Sequence, residues 1–203
     1  MKTVTRHFAL YCGLLVAIAA SFSAAPIFAQ TEAIPPSLIQ THAKANFGEF
    51  FDMLALPNDA IIPADIQKNA DWLEVAFRKR GFVTRQLPND GKPLVFAEYP
   101  RKVANAKTIL FYMHFDGQPV IPSQWAQKSP WLAVVKQRNA TTPERAPLPT
   151  FTTARATAQD RWEEIGTNKL LEEKIDPEWR IFARAASDDK GPIMMFLPAF
   201  PKV

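Results

Sequence analysis

The sequence predicts an α/β fold, a sheet covered by helices, from three observations: helical spacing of apolar residues over positions 38–80, a switch to alternation and apolar runs over positions 82–113, and two polar clusters that each follow a strand-like stretch.

Each element has its own justification. After Ile34-Pro35-Pro36-Ser37, the stretch SLIQTHAKANFGEFFDMLAL carries Leu38, Ile39, Phe47, Phe50, Phe51 and Leu54 at loosely helical spacing, despite Gly48. His42 stands alone on it, and a lone His on a helix reads as a surface or packed residue rather than a ligand. Pro63 suits a first helical turn, and Ile66, Ala70, Leu73 and Phe77 follow at helical spacing. Arg78-Lys79-Arg80 load the last turn, where they complement the helix dipole without any need for nucleic acid, and Gly81 ends it. FVTRQL then alternates, Asn89-Asp90-Gly91 signals a turn, and LVFAEY reads as a second strand. Thr108 to Met113, TILFYM, is nearly all apolar and predicts an inner strand buried on both faces. Between Ile121 and Pro177 the prolines Pro122, Pro130, Pro143, Pro147 and Pro149 interrupt every pattern. TPERAPLPTFTTARATAQ reads as an exposed loop, RWEEIGTNKLLEEK as a helix weakened by Gly166, and WRIFARA as the final strand.

Composition narrows the class. The 203 residues are 47% hydrophobic and 22% charged, a balance for a folded core rather than disorder, and no internal repeat is visible. Residues 1–29 read as an export leader: Lys2, Arg6 and His7 precede the apolar LYCGLLVAIAA, and Ile27-Phe28-Ala29 before Gln30 makes a cleavage site. That apolar run, closed by Pro26, is short for a membrane span, so the expected product is exported, periplasmic or secreted, with no stable membrane association after the leader is removed. Removing Lys2 and Arg6, with no acid among those residues, takes the net charge from +4 to +2 and weakens any case for nucleic acid. Cys12 lies in the leader, so the mature chain has neither disulfide nor thiol, and a metal must be held by His and carboxylate.

The chemistry sits in the two clusters. TILFYM runs into His114-Phe115-Asp116-Gly117-Gln118-Pro119, and WRIFARA into Ser187-Asp188-Asp189-Lys190-Gly191-Pro192. Ligands of open α/β sheets gather beyond the carboxyl ends of strands, so the two clusters are expected to face one crevice. Extended backbone through Phe115 points His114 and Asp116 to one side. An imidazole backed by a carboxylate serves either a metal or a catalytic base.

Taken together, YMHFDGQPV and ARAASDDKGPI resemble the zinc metallopeptidase family of carnosine dipeptidase, aminoacylase, carboxypeptidase G and succinyl-diaminopimelate desuccinylase, most of all its carnosine-dipeptidase branch. RKRGF followed by two strands and the apolar run resembles the start of that family's catalytic domain, and the likeness covers most of residues 38–120 and 177–196. It implies that His114 binds one zinc ion, that Asp116 is the catalytic carboxylate orienting it, and that Asp188 bridges two zinc ions, while Asp189, Lys190 and Gly191 shape the turn. The implied substrate is a small peptide or an N-acyl amino acid, hydrolysed at an amide bond near a free carboxylate. The sequence departs from the family at Ala183-Arg184-Ala185, where Gly-Arg-Gly is usual, and in a longer segment between the clusters.

The resemblance also implies further acidic ligands, an adjacent Glu-Glu pair and a distant His, none of which has a counterpart after Asp188. Glu163-Glu164 and Glu172-Glu173 precede that motif, on a predicted solvated helix. Residues 30–203 are therefore expected to be the truncated N-terminal part of a metallopeptidase catalytic domain, without a lid domain, with weak zinc binding, little turnover and apolar edges open to aggregation. Two other readings stand beside it: a non-catalytic degenerate module, and a serine acyl enzyme built on Ser187-x-x-Lys190, which lacks the Ser-Asp-Asn and Lys-Thr-Gly partners of that class.

Overall fold

Pro36 opens helix α1, Pro36–Leu54, because a proline at the first position supplies the right φ and forfeits only an amide that has no partner there. The computed structural model describes residues 34–100, 103–139, 162–172 and 174–203; the predicted leader over 1–29 and the loop TPERAPLPTFTTARATAQ lie outside them. Leu38 and Ile39 at the start of α1 are exposed, whereas Met53 and Leu54 at its end are fully buried.

Helix α2, Pro63–Arg78, follows the predicted spacing: Ile66, Ala70, Leu73 and Phe77 are all buried. Gly81 ends the turn with φ +80°, in the left-handed region that glycine enters without strain. Strands β1, Val83–Leu87, and β2, Leu94–Glu98, pair antiparallel with Leu87 opposite Leu94. Asp90 and Gly91 both have positive φ, and the Lys92 amide donates to the Asn89 carbonyl at 2.8 Å, the geometry of a tight hairpin turn.

The second sheet differs from expectation. Strand β3, Val134–Arg138, lies in the centre, flanked antiparallel by β4, Trp162–Ile165, and β5, Arg180–Phe182. RWEEIGTNKLLEEK is thus not one helix. Ile165 pairs with Val135 and is buried beside it and Leu170, Glu163 and Glu164 are exposed on the strand, and only Lys169–Glu172 coils, as α3. Long-range pairing with β3 has overridden the weak helical pattern, and Gly166 marks the break.

The larger correction concerns TILFYM. It is neither an inner strand nor buried: Ile109, Leu110, Phe111 and Tyr112 are 75%, 85%, 59% and 87% exposed. Among the described residues, the backbone of 107–113 makes no hydrogen bond. A strand needs a neighbour as well as an apolar sequence, and here β1 and β2 satisfy each other while β3 takes β4 and β5. Among the described residues there are helices with two small antiparallel sheets, a mixed α and β architecture, instead of the single helix-covered sheet.

Helix α4, Lys190–Phe196, and a final 3₁₀ turn, Leu197–Ala199, complete the main core. Met53, Leu73, Phe77, Phe82, Ile193, Met194 and Leu197 form its buried centre, with Met113 and Phe115 packed against it. A second core of Val135, Ile165 and Leu170 rests on Phe47 and Phe51 of α1. Arg80, read with Arg78 and Lys79 as a basic complement to the end of the helix, is 1% exposed. Its guanidinium makes a paired contact with Glu49 at 3.1 and 2.6 Å and donates to the carbonyls of Ala76 and Leu197. Burial demands such partners, because an unpaired guanidinium inside the protein costs several kcal/mol, roughly 3–5. Among the described residues, no helix is long and apolar enough to cross a membrane.

Candidate metal centre

The first motif is held from both sides. Met113 and Phe115 turn inward to the core, which leaves His114 and Asp116 on the outer side, as the expected alternation requires even though no ladder forms here. Asn58 Nδ2 donates to the Phe115 carbonyl at 3.0 Å, the Gly117 amide to the Asn58 carbonyl at 2.7 Å, and the Ala60 amide to the Gly117 carbonyl at 2.8 Å. A Cβ at Gly117 would sit 2.9 Å from Asn58 Nδ2 and 3.0 Å from an Arg184 guanidinium nitrogen, so glycine is needed for this close approach.

The second motif is fixed by Lys190 and Gly191. Lys190 is fully buried and its ammonium donates to the carbonyls of Met53 and Leu56, at 2.8 and 2.6 Å, at the end of α1. Burial pushes its pKa down to about 7, with the Asp65 charge opposing. An amine with two or with three protons can make both bonds. The same bonds remove the basis of the serine acyl enzyme, since the amine that should activate Ser187 is engaged elsewhere. A Cβ on Gly191 would come within 2.3 Å of the Ala186 carbonyl oxygen, which excludes any larger residue from this turn. The peptide between Asp188 and Asp189 is cis. Ala185 has φ +62°, so the position where the resembling family has glycine does adopt the left-handed backbone.

Between these two supports, His114 and Asp188 meet. His114 Nε2 lies 3.1 Å from Asp188 Oδ1 and 3.7 Å from Asp189 Oδ2, and His114 Nδ1 lies 3.2 Å from Asp116 Oδ1. Asp189, expected only to support its own turn, also accepts the backbone amide of His114 at 3.0 Å and so ties one motif to the other. Its carboxylate is largely covered, at 13% exposure, whereas Asp188 is 86% and His114 44% exposed. A proton on Nδ1 donated to Asp116 leaves the Nε2 lone pair facing Asp188. Two acceptors at that separation repel unless a positive charge lies between them: a second imidazole proton or a cation. Desolvation is the largest single influence on the imidazole and lowers its pKa, but the Asp189 charge together with the hydrogen bonds and charge of Asp116 raises the pKa above the usual histidine value.

The ligand atoms of His114, Asp188 and Asp189 all lie within 4.8 Å of one another. Two ligands of a tetrahedral zinc, each at about 2.1 Å, are about 3.4 Å apart, so the observed 3.1 and 3.7 Å separations bracket what the ion needs. The donor set suits it as well, one imidazole nitrogen with carboxylate oxygens. The group opens onto a cleft of about 320 Å³ lined by Ala60, Asp116, Gly117, Gln118, Pro119 and Arg184 besides His114 and Asp188. Trp125 and Trp131 do not line it, in keeping with a packing role. His42 is exposed on α1, away from these groups.

Sequence reasoning did not find Asn58, whose Pro57-Asn58-Asp59 context reads as an ordinary turn, or the placement of Arg184 in the cleft wall. No local pattern marks either, because both act through contacts with a distant part of the chain. No family model, curated protein sequence or solved structure matches the chain.

Proposed function

We propose that residues 30–203 belong to the catalytic domain of a zinc-dependent peptidase, of the kind that the two motifs resemble, which hydrolyses amide bonds of small peptides or N-acyl amino acids. In this reading His114 and Asp188 hold zinc, Asp116 orients the imidazole through Nδ1, and Asp188, with most of its carboxylate exposed, is free to bridge a second ion. When bound, zinc supplies Lewis acidity to the scissile carbonyl and lowers the pKa of a coordinated water. The chain's own residues fix the ligands: Asn58 and Asp189 hold the backbone on either side of the imidazole, while Lys190 and Gly191 hold the turn that carries Asp188. The leader reading makes the mature protein an exported one.

The observation that carries this reading is the 3.1 Å approach of His114 Nε2 and Asp188 Oδ1, groups from distant parts of the sequence. A zinc hydrolase takes about three protein ligands per ion and a base for the water, more than His114 and Asp188 provide. His114 and Asp188 by themselves should therefore hold zinc weakly. Zinc or cobalt should raise the melting temperature of the purified chain, and His114→Ala with Asp188→Ala should abolish the rise. A folded sample whose melting temperature ignores both metals favours the inert module instead.

A further inference from the structure

The loop between α1 and α2, residues 55–62, is bonded to both motifs. It holds the first through Asn58, whose Nδ2 donates to the Phe115 carbonyl and whose own carbonyl accepts the Gly117 amide. Asp59 and Gly117 form a parallel bridge, and the Ala60 amide returns to the Gly117 carbonyl. It holds the second because the Lys190 ammonium is bound to the carbonyl of Leu56, and to that of Met53 in the last turn of α1. The loop is itself fixed from α2, where Asn69 is fully buried and donates to the Pro57 carbonyl at 2.6 Å. Asn58 is 1% exposed, so water is not at hand to replace its bonds if they are lost. The first motif has few other supports. Among the described residues the backbone of 107–113 makes no hydrogen bond, so no strand ladder braces the approach to His114, and the His114 amide is held by Asp189.

From this we infer that Asn58 is a positioning residue, and that the loop carrying it sets the approach of His114 to Asp188. Ligand groups have to be held within about 0.5 Å of the geometry that an ion requires, and here they come from two motifs that are far apart in the chain. The same short loop grips the backbone just after His114 and the side chain just after Asp189, so a shift of the loop changes the distance between the two motifs. Asn58 is the side chain of the loop that reaches the first motif, and without its amide the Phe115 carbonyl loses its donor. The inference deepens the zinc reading and rests on it for one consequence, the effect on metal affinity. The contact that the loop maintains, His114 Nε2 to Asp188 Oδ1, is measurable without metal.

The test compares the wild-type chain with Asn58→Ala, Gly117→Ala and Ile165→Val. Gly117→Ala keeps Asn58 but presses on it, because the new Cβ meets Nδ2 at 2.9 Å, whereas Ile165→Val loosens the second core without touching the loop or either motif. With chelator present, the nuclear Overhauser effect between the His114 ring and the Asp188 β protons reports the contact, and hydrogen exchange of the Gly117 amide reports its bond to Asn58. In Asn58→Ala and Gly117→Ala the Overhauser effect should vanish and Gly117 exchange should accelerate at least about tenfold, while Ile165→Val keeps both at wild-type values. Zinc affinity by titration calorimetry should fall at least about tenfold in the first two variants only. A folded Asn58→Ala with the wild-type contact and zinc affinity overturns the inference, as does an equal loss in Ile165→Val, which is general loosening, or a wild type that lacks the contact. If Asn58→Ala does not fold, Gly117→Ala decides by the same readings. A wild type that keeps the contact but ignores zinc removes the metal site, and the Overhauser and exchange comparison still decides the role of Asn58.

Discussion

At the scale of single residues, the imidazole of His114 carries two consequences of its position. Its raised pKa means that, without metal, protonation favours the folded state: the contribution is fully present below the unfolded value and is lost as pH rises through the folded one. Zinc and the second proton compete for Nε2, so zinc-induced stabilisation should shrink as pH falls through the folded pKa, and zinc binding near that pH should release protons in unbuffered titration calorimetry. A zinc response that is flat across this range removes His114 from the ligand set. The neighbouring turn offers a contrast of backbone requirements. Ala185 has φ +62°, and Ala185→Gly should stabilise by about 0.5–1 kcal/mol by relieving it. Gly191→Ala should cost about 1–3 kcal/mol, because its Cβ meets the Ala186 carbonyl oxygen. Urea denaturation of the two variants measures both, and the opposite order would show that the turn has another geometry in solution.

At the scale of elements, hydrophobic period identified α1, α2, β1 and β2, since local spacing and turn chemistry suffice where an element folds against its neighbours in sequence. α2 is the clearest case, with its proline start, its four buried residues and its glycine stop all legible. The same criterion failed at Thr108–Met113, because an apolar run states that a stretch can be buried and says nothing about which partner is present. The result is a segment whose amides and carbonyls have no partner among the described residues, a template for pairing with other chains. Leu110→Lys should lower concentration-dependent scattering of the purified protein while changing unfolding free energy by no more than about 0.5 kcal/mol. Unchanged association would place the adhesive surface elsewhere. β3 and β4 were not read as strands for the converse reason: VVKQR sets two apolar residues side by side before three polar ones and WEEI sets two acids side by side, so neither alternates, and only pairing with one another makes them strands.

At the scale of the whole molecule, Arg80 joins parts that are far apart in sequence: Glu49 on α1, the Ala76 carbonyl of α2 and the Leu197 carbonyl of the final turn. Lys202 adds a second cation to Glu49 at 3.1 Å. The Arg80 hydrogen bond is the largest of the influences that hold the Glu49 carboxyl below its ordinary pKa, against the opposing effect of burial. A depressed carboxylate stabilises above its unfolded pKa, and the benefit is lost as pH falls through the folded value. Arg80→Ala should therefore cost about 3–5 kcal/mol at neutral pH, by leaving Glu49 poorly paired and two carbonyls bare. It should also flatten the acid limb of the stability curve, which urea titrations from pH 3 to about pH 6 would follow. A loss below about 1 kcal/mol would mean that water replaces the guanidinium without penalty.

The sequence by itself determined helices α1 and α2, the hairpin, the two polar motifs and the side to which His114 and Asp116 point, because each follows from spacing within one short stretch. Tertiary structure alone decided that Arg80 and Lys190 are buried, that TILFYM lies bare, that Asp189 reaches the His114 amide, and that Arg184 lines the cleft. The physical reason is common to all four. Burial and hydrogen bonding belong to pairs of residues, and when the two members are far apart in the chain, neither carries a local mark of the other.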